Sequence, residues 1–144
     1  MESWLSRLEA LYNDYIGIVR ELERNRKFGD GLFGIRPGPA NDPCHDRFAA
    51  DAEKLLKEFG DTSPTSEECA ALLRYLFTAP EAWRELTCAY WMLIAVQGYG
   101  IDLIGYLEPA DAKALAEILS AAYPRYIRLP VQEKLLKRLK QQAN

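Results

Sequence analysis

The chain has a single histidine, His45, and only three cysteines, Cys44, Cys69 and Cys88. That is too few ligands for a structural zinc site, which draws on clustered Cys and His side chains. The cysteines are odd in number, far apart and without a C-x-x-C pair, which excludes a disulfide framework and a zinc knuckle. Excess charge is also lacking. Eighteen basic against 21 acidic residues give a formal net charge of −3, so the balance does not call for nucleic acid as a partner. The opening "MESWLSRLEALY" has neither the basic start nor the unbroken apolar stretch of a secretory signal. Reduced thiols and a cytoplasmic location are the expectation.

A long apolar run is missing too. Leu86 to Val96 carries no charge, but Gln97, Gly98, Gly100 and Asp102 interrupt the residues after it. A membrane span needs about twenty apolar residues, so this stretch reads as a buried central helix and no membrane is expected. No alternating strand pattern, internal repeat or linker is found. With 144 residues, nearly half of them apolar, the chain fits one globular domain.

Helical spacing, by contrast, is plentiful. Trp4, Leu8, Leu11, Tyr15, Ile18 and Leu22 recur at 4, 3, 4, 3 and 4, within a helix read as 2–27. Leu5, Tyr12, Ile16 and Val19 widen this face, so it should meet two neighbours, or one neighbour and a partner chain. Asp42 as cap and Pro43 at the first position start a second helix, which Gly60 should stop. Thr65 with Glu68 forms a capping box before Cys69, Leu72, Leu73 and Leu76, and Thr78 with Glu81 repeats the device. Pro109 and Pro130 begin the last two helices. The expectation is an all-α, single-domain helical bundle over 1–144, of about six main helices, with one long Gly/Pro-rich loop at 28–43.

That loop contains G-x-G-x-x-G at Gly29, Gly31 and Gly34. A dinucleotide turn needs a strand before it and a helix N-terminus after it. Here a helix stands before it and "IRPGPANDP" after it, so the match is discarded. No G-K-[ST] is present either, and no cofactor is expected. The loop reads as a surface segment with Leu32, Phe33 and Ile35 tucked onto the bundle.

The polar cluster "DPCHD" ends the loop. Cys44, His45 and Asp46 have the residue types of an activated nucleophile, and a helix N-terminus favours a thiolate. Adjacent helical residues point about 100° apart, so the three do not naturally face one another. Asp46 complementing the helix dipole, with His45 on the surface or bonding the loop, is the plainer reading. Arg36, Asp42, Cys44, His45 and Arg47 remain the candidates for a bound small molecule. Metal binding is not expected, because only one histidine is available.

Lys134, Lys137 and Arg138 share one face of the last helix, opposite Val131, Leu135 and Leu139. This is a solvated face or a patch for an acidic partner. Three function classes result, in this order. The first is a non-enzymatic protein-interaction or regulatory module, binding another protein or itself as a homodimer. Its contacts would be Trp4, Leu8, Leu11 and Tyr15, with Lys134, Lys137 and Arg138. The second is small-molecule binding or thiol-dependent activity at the 28–47 loop and helix start. The third is electrostatic binding through the C-terminal helix.

Overall fold

The computed structural model describes residues 3–24 and 42–144. Most of the 28–43 loop, with Arg36 and the apolar Leu32, Phe33 and Ile35, therefore lies outside the described residues. Among those described, the α-helices are α1 (Trp4–Arg24), α2 (Cys44–Asp61), α3 (Ser66–Thr78), α4 (Thr87–Val96), α5 (Pro109–Ala122) and α6 (Pro130–Ala143). Short 3-10 helices stand at Ala79–Trp83, Gln97–Tyr106 and Arg125–Ile127. There is no strand among them, and the protein is an all-α bundle.

Helix α1 packs on α2 and α3. It buries Leu8, Tyr12, Tyr15, Ile16 and Val19, whereas Ile18 stays 47% exposed. The buried stripe thus runs through Tyr12 and Ile16 rather than through Leu11 and Ile18. The rings set this rotation. Tyr15 stacks on Phe48 of α2 with centroids 4.1 Å apart, and Tyr12 meets the same ring edge-on at 5.2 Å. The rotation keeps Tyr15 and exchanges Leu11 and Ile18 for Tyr12 and Ile16, and one more buried aromatic ring outweighs an aliphatic side chain.

The start of α2 is capped nearly as the sequence suggests. Asp42 Oδ1 accepts the Cys44 N–H at 2.9 Å, with Pro43 just outside the helix. Gly60, however, does not end it. The helix continues to Asp61, and the reversal comes at Ser63, whose φ is 52°. Gly60 serves a close approach instead: a Cβ there would lie 3.2 Å from Leu103 Cδ2. Thr65 caps α3, accepting the Glu68 N–H at 3.1 Å. Ser66 then fastens the start of α3 to that of α5, donating to Asp111 and accepting the Glu108 N–H at 2.8 Å.

The second capping box does not form. Thr78 is the last residue of α3, and its hydroxyl donates back to the Arg74 carbonyl at 2.7 Å. Glu81 pairs with Arg84 instead. Helix α4 also differs from the expectation of an all-round buried helix. Ala89, Leu93, Ile94 and Val96 are buried, but Trp91 is 53% exposed, with Thr87 and Ala95 exposed one turn to either side. An uncharged helix need not be central when neighbours cover only one of its sides.

The stretch after α4 changes pitch. In Gln97–Tyr106 the buried residues Gln97, Gly100 and Leu103 recur every third position, as do exposed Tyr99, Asp102 and Gly105. Three residues per turn is the 3-10 period. Gly100 admits no other side chain without displacement, since a Cβ would stand 2.6 Å from Leu76 Cδ2 and 2.9 Å from Leu73 Cδ2.

A buried amide binds this segment to the rest. Gln97 Nε2 donates to the Phe77 carbonyl at 3.2 Å and to the Tyr123 hydroxyl at 3.0 Å. Its Oε1 accepts from Gln132 Nε2 at 3.1 Å, and Gln132 Oε1 accepts the Leu129 N–H at 2.8 Å. One connected set of polar groups so joins the ends of α3 and α5 and the start of α6 to the 3-10 helix. By contrast Tyr12, fully buried, has a hydroxyl with no hydrogen-bond partner among the described residues.

Two substitutions check this packing. Gly100→Ala should cost about 1–3 kcal/mol of overpacking, read as a lower urea midpoint at unchanged slope. Tyr12→Phe removes an orphaned buried hydroxyl, and such a group costs about 1–3 kcal/mol. That variant should therefore unfold at the same or a higher urea concentration. A clear loss would show that the hydroxyl has a partner.

Candidate functional site

The start of α2 holds the residues that the sequence singled out, and the geometry separates them. Cys44 is half-buried, with Asp42 beside it. Burial first, then the hydrogen bond and the negative charge of Asp42, push its thiol up to about 11. A helix N-terminus by itself favours a thiolate; here desolvation and the neighbouring carboxylate overcome it. His45 is buried rather than on the surface. Its Nδ1 shares a 2.5 Å hydrogen bond with the Tyr15 hydroxyl, and the two rings meet edge-on. Asp46 and Arg47 are exposed. Cysteine, histidine and aspartate therefore face three different surroundings and assemble no triad. Arg36 lies outside the described residues. His45 is a structural bridge between α1 and α2. Among the described residues no group of three His, Cys, Asp or Glu side chains could hold a metal ion.

The residues expected to contact a partner are mostly spent inside the bundle. Leu8 and Tyr15 are buried. Leu11 is half-buried, and Trp4 packs against Phe59 with the Arg7 guanidinium over its ring. The breadth of the α1 face is thus explained by two neighbours, α2 and α3. On α6, Lys134 and Lys137 are exposed. Arg138 is half-buried and donates to Gln142 Oε1 at 3.0 Å, while Gln142 Nε2 donates to the Leu107 carbonyl at 2.8 Å. Arg138 therefore orients an anchor of the fold.

A different surface stands out. Along the twenty residues Thr87–Tyr106 three large aromatic side chains are half-exposed: Trp91, Tyr99 and Tyr106. The second half of this segment and α2 enclose a groove of about 450 Å³. Leu56 and Leu103 lie at its base, where Gly60 allows the helices to come together. Tyr99 and Tyr106 line it, and the Tyr106 hydroxyl donates to the Gly60 carbonyl at 3.0 Å. Glu53, Asp61 and Asp102 bring three carboxylates against the one ammonium of Lys57.

No family model, no curated protein and no solved structure matches the chain. The chemistry of the surface itself is therefore the guide to what the protein does.

Sequence pattern alone does not reveal this groove, for a clear reason. Glu53, Lys57 and Asp61 look like the ordinary solvated face of an amphipathic helix, and Tyr99, Asp102 and Tyr106 look like a turn. Only the close approach at Gly60 makes them one surface. The groove combines buried apolar side chains, two tyrosines and three carboxylates in its lining. Its volume is in the range of ligand sites.

The thiol at Cys44 supplies a direct check. Thiolate is the reactive form, and a thiol pushed up to about 11 from an ordinary 9.0 is about a hundredfold less ionised below pH 9. Iodoacetamide should label Cys44 at least that much more slowly in the native protein than in urea. The native rate should rise about tenfold per pH unit and level off only near 11. Fast labelling at pH 7 would restore an activated cysteine.

Proposed function

We propose that this protein is a non-enzymatic interaction or regulatory module that docks another protein, or a second copy of itself, on the Thr87–Tyr106 segment. The observation that supports the reading is Trp91. It is 53% exposed on a helix without a single charged residue, in an exposed stripe with Thr87 and Ala95. Large exposed apolar side chains in a row mark contact surfaces, and tryptophan is the residue most enriched at binding hot spots. Tyr99 and Tyr106, farther along the same segment, are half-exposed as well. Ten α-helical and ten 3-10 residues extend over roughly 35 Å, long enough to seat a helix or an extended segment.

Other features support this class over catalysis. The thiol at the start of α2 is held protonated, and His45 is tied to Tyr15. Three free cysteines suit a reducing, cytoplasmic setting. Neither nucleic acid nor membrane is part of the proposal. Thr87–Tyr106 is long and apolar enough to cross a bilayer by length and composition, yet 44% of its apolar 18-residue window is buried inside the bundle and its second half is 3-10.

Photo-crosslinking decides the matter. Benzoylphenylalanine placed at position 91 in the producing cell should give one adduct of discrete mass, and a doubled chain mass would identify a second copy. The same probe at position 134 should give little. Ala95→Glu, which puts a charge into the stripe, should abolish the adduct while leaving the melting curve unchanged. Equal yields at 91 and 134, insensitivity to Ala95→Glu, or sedimentation with phosphatidylcholine vesicles in place of a protein adduct would each overturn the reading.

A further inference from the structure

Resting on that reading, we propose that the groove between α2 and the Gln97–Tyr106 helix receives a cationic side chain, arginine or lysine, from the docked partner. The three carboxylates are distributed rather than convergent. Glu53 and Asp61 stand two turns apart on α2, and Asp102 comes from the other side. They do not come together as a cation chelate, since no metal-holding group is found among the described residues. A spread negative rim suits an elongated or planar cation instead. Lys57 offsets one carboxylate at most, so the groove keeps an uncompensated negative charge.

The tyrosines supply the second half of the complementarity. Tyr99 is 40% and Tyr106 41% exposed, and both line the groove. Aromatic faces attract ammonium and guanidinium groups, the more so when water is excluded. The Tyr106 ring is held by its hydroxyl on the Gly60 carbonyl, which limits its rotation before anything binds. Leu56 and Leu103 below offer apolar contact to the methylene stem of such a side chain. A carboxylate or phosphate group would meet repulsion at the same place. Gly98 and Tyr99, which line the groove, follow Ala95 by three and four residues in the chain, so a partner docked along this segment has the groove within its span.

The probe is n-butylguanidinium, the arginine side chain with its Cα carbon but no peptide groups, with n-pentanol as its uncharged counterpart. In amide nuclear magnetic resonance spectra, n-butylguanidinium should shift residues 53–61 and 98–106 saturably. Asp102→Asn combined with Glu53→Gln should weaken that binding at least fivefold, and Tyr99→Leu should do the same with the charge kept. n-Pentanol should shift these residues far less. Equal shifts from both compounds, or shifts spread over distant carboxylates such as Asp14 and Glu117, would overturn the proposal. The two readings fail separately: crosslinking at position 91 without guanidinium binding leaves a partner that brings no cation, and guanidinium binding without crosslinking leaves a pocket for a free cation.

Discussion

The structure turns on one primary amide. Gln97 sits where an α-helix gives way to a 3-10 helix, fully buried, and spends its donors and acceptor on α3, Tyr123 and Gln132. An unpaired amide in that position would cost several times what a satisfied one contributes, so the neighbours are obliged to present matching groups. That obligation fixes the end of α3, the end of α5 and the start of α6 relative to one another.

The change of pitch at Gln97 also shapes the outer surface. A continued α-helix would have carried Tyr99, Asp102 and Gly105 round to different sides. A period of three aligns them. The glycine at position 100 lets this strip settle onto Leu73 and Leu76, and Gly60 lets α2 close against Leu103. The groove is therefore a by-product of two close backbone approaches, and its polar rim comes from residues that no local pattern marks as belonging together.

Much of the bundle was legible in the sequence. Apolar spacing and the prolines at positions 109 and 130 placed the helices, and Thr65 behaved as a cap, its hydroxyl accepting the Glu68 N–H while donating to the Glu68 carboxylate. Thr78 failed in the same role because a carbonyl one turn earlier claimed its hydroxyl. The α1 face was misplaced by a small rotation, since Leu11 and Ile18 weigh as much as Tyr12 and Ile16 in a spacing argument but less against the Phe48 ring. The 97–106 helix was legible only as an interruption of the apolar run, its glycines concealing the period. The candidate site was the least legible part. Cys44 and His45 were conspicuous by type, but burial and Asp42 removed the chemistry, and Glu53 and Asp61 gave no signal until Asp102 stood opposite them.

The bridge between Tyr15 and His45 has a consequence for chain architecture. Together with the stacking of Tyr15 on Phe48, and with Arg7 facing Glu58 at 3.9 Å, it ties α1 to α2. Tyr15 is thus gripped by two α2 residues one helical turn apart, His45 and Phe48, so that a single ring of α1 sets the register of the pair.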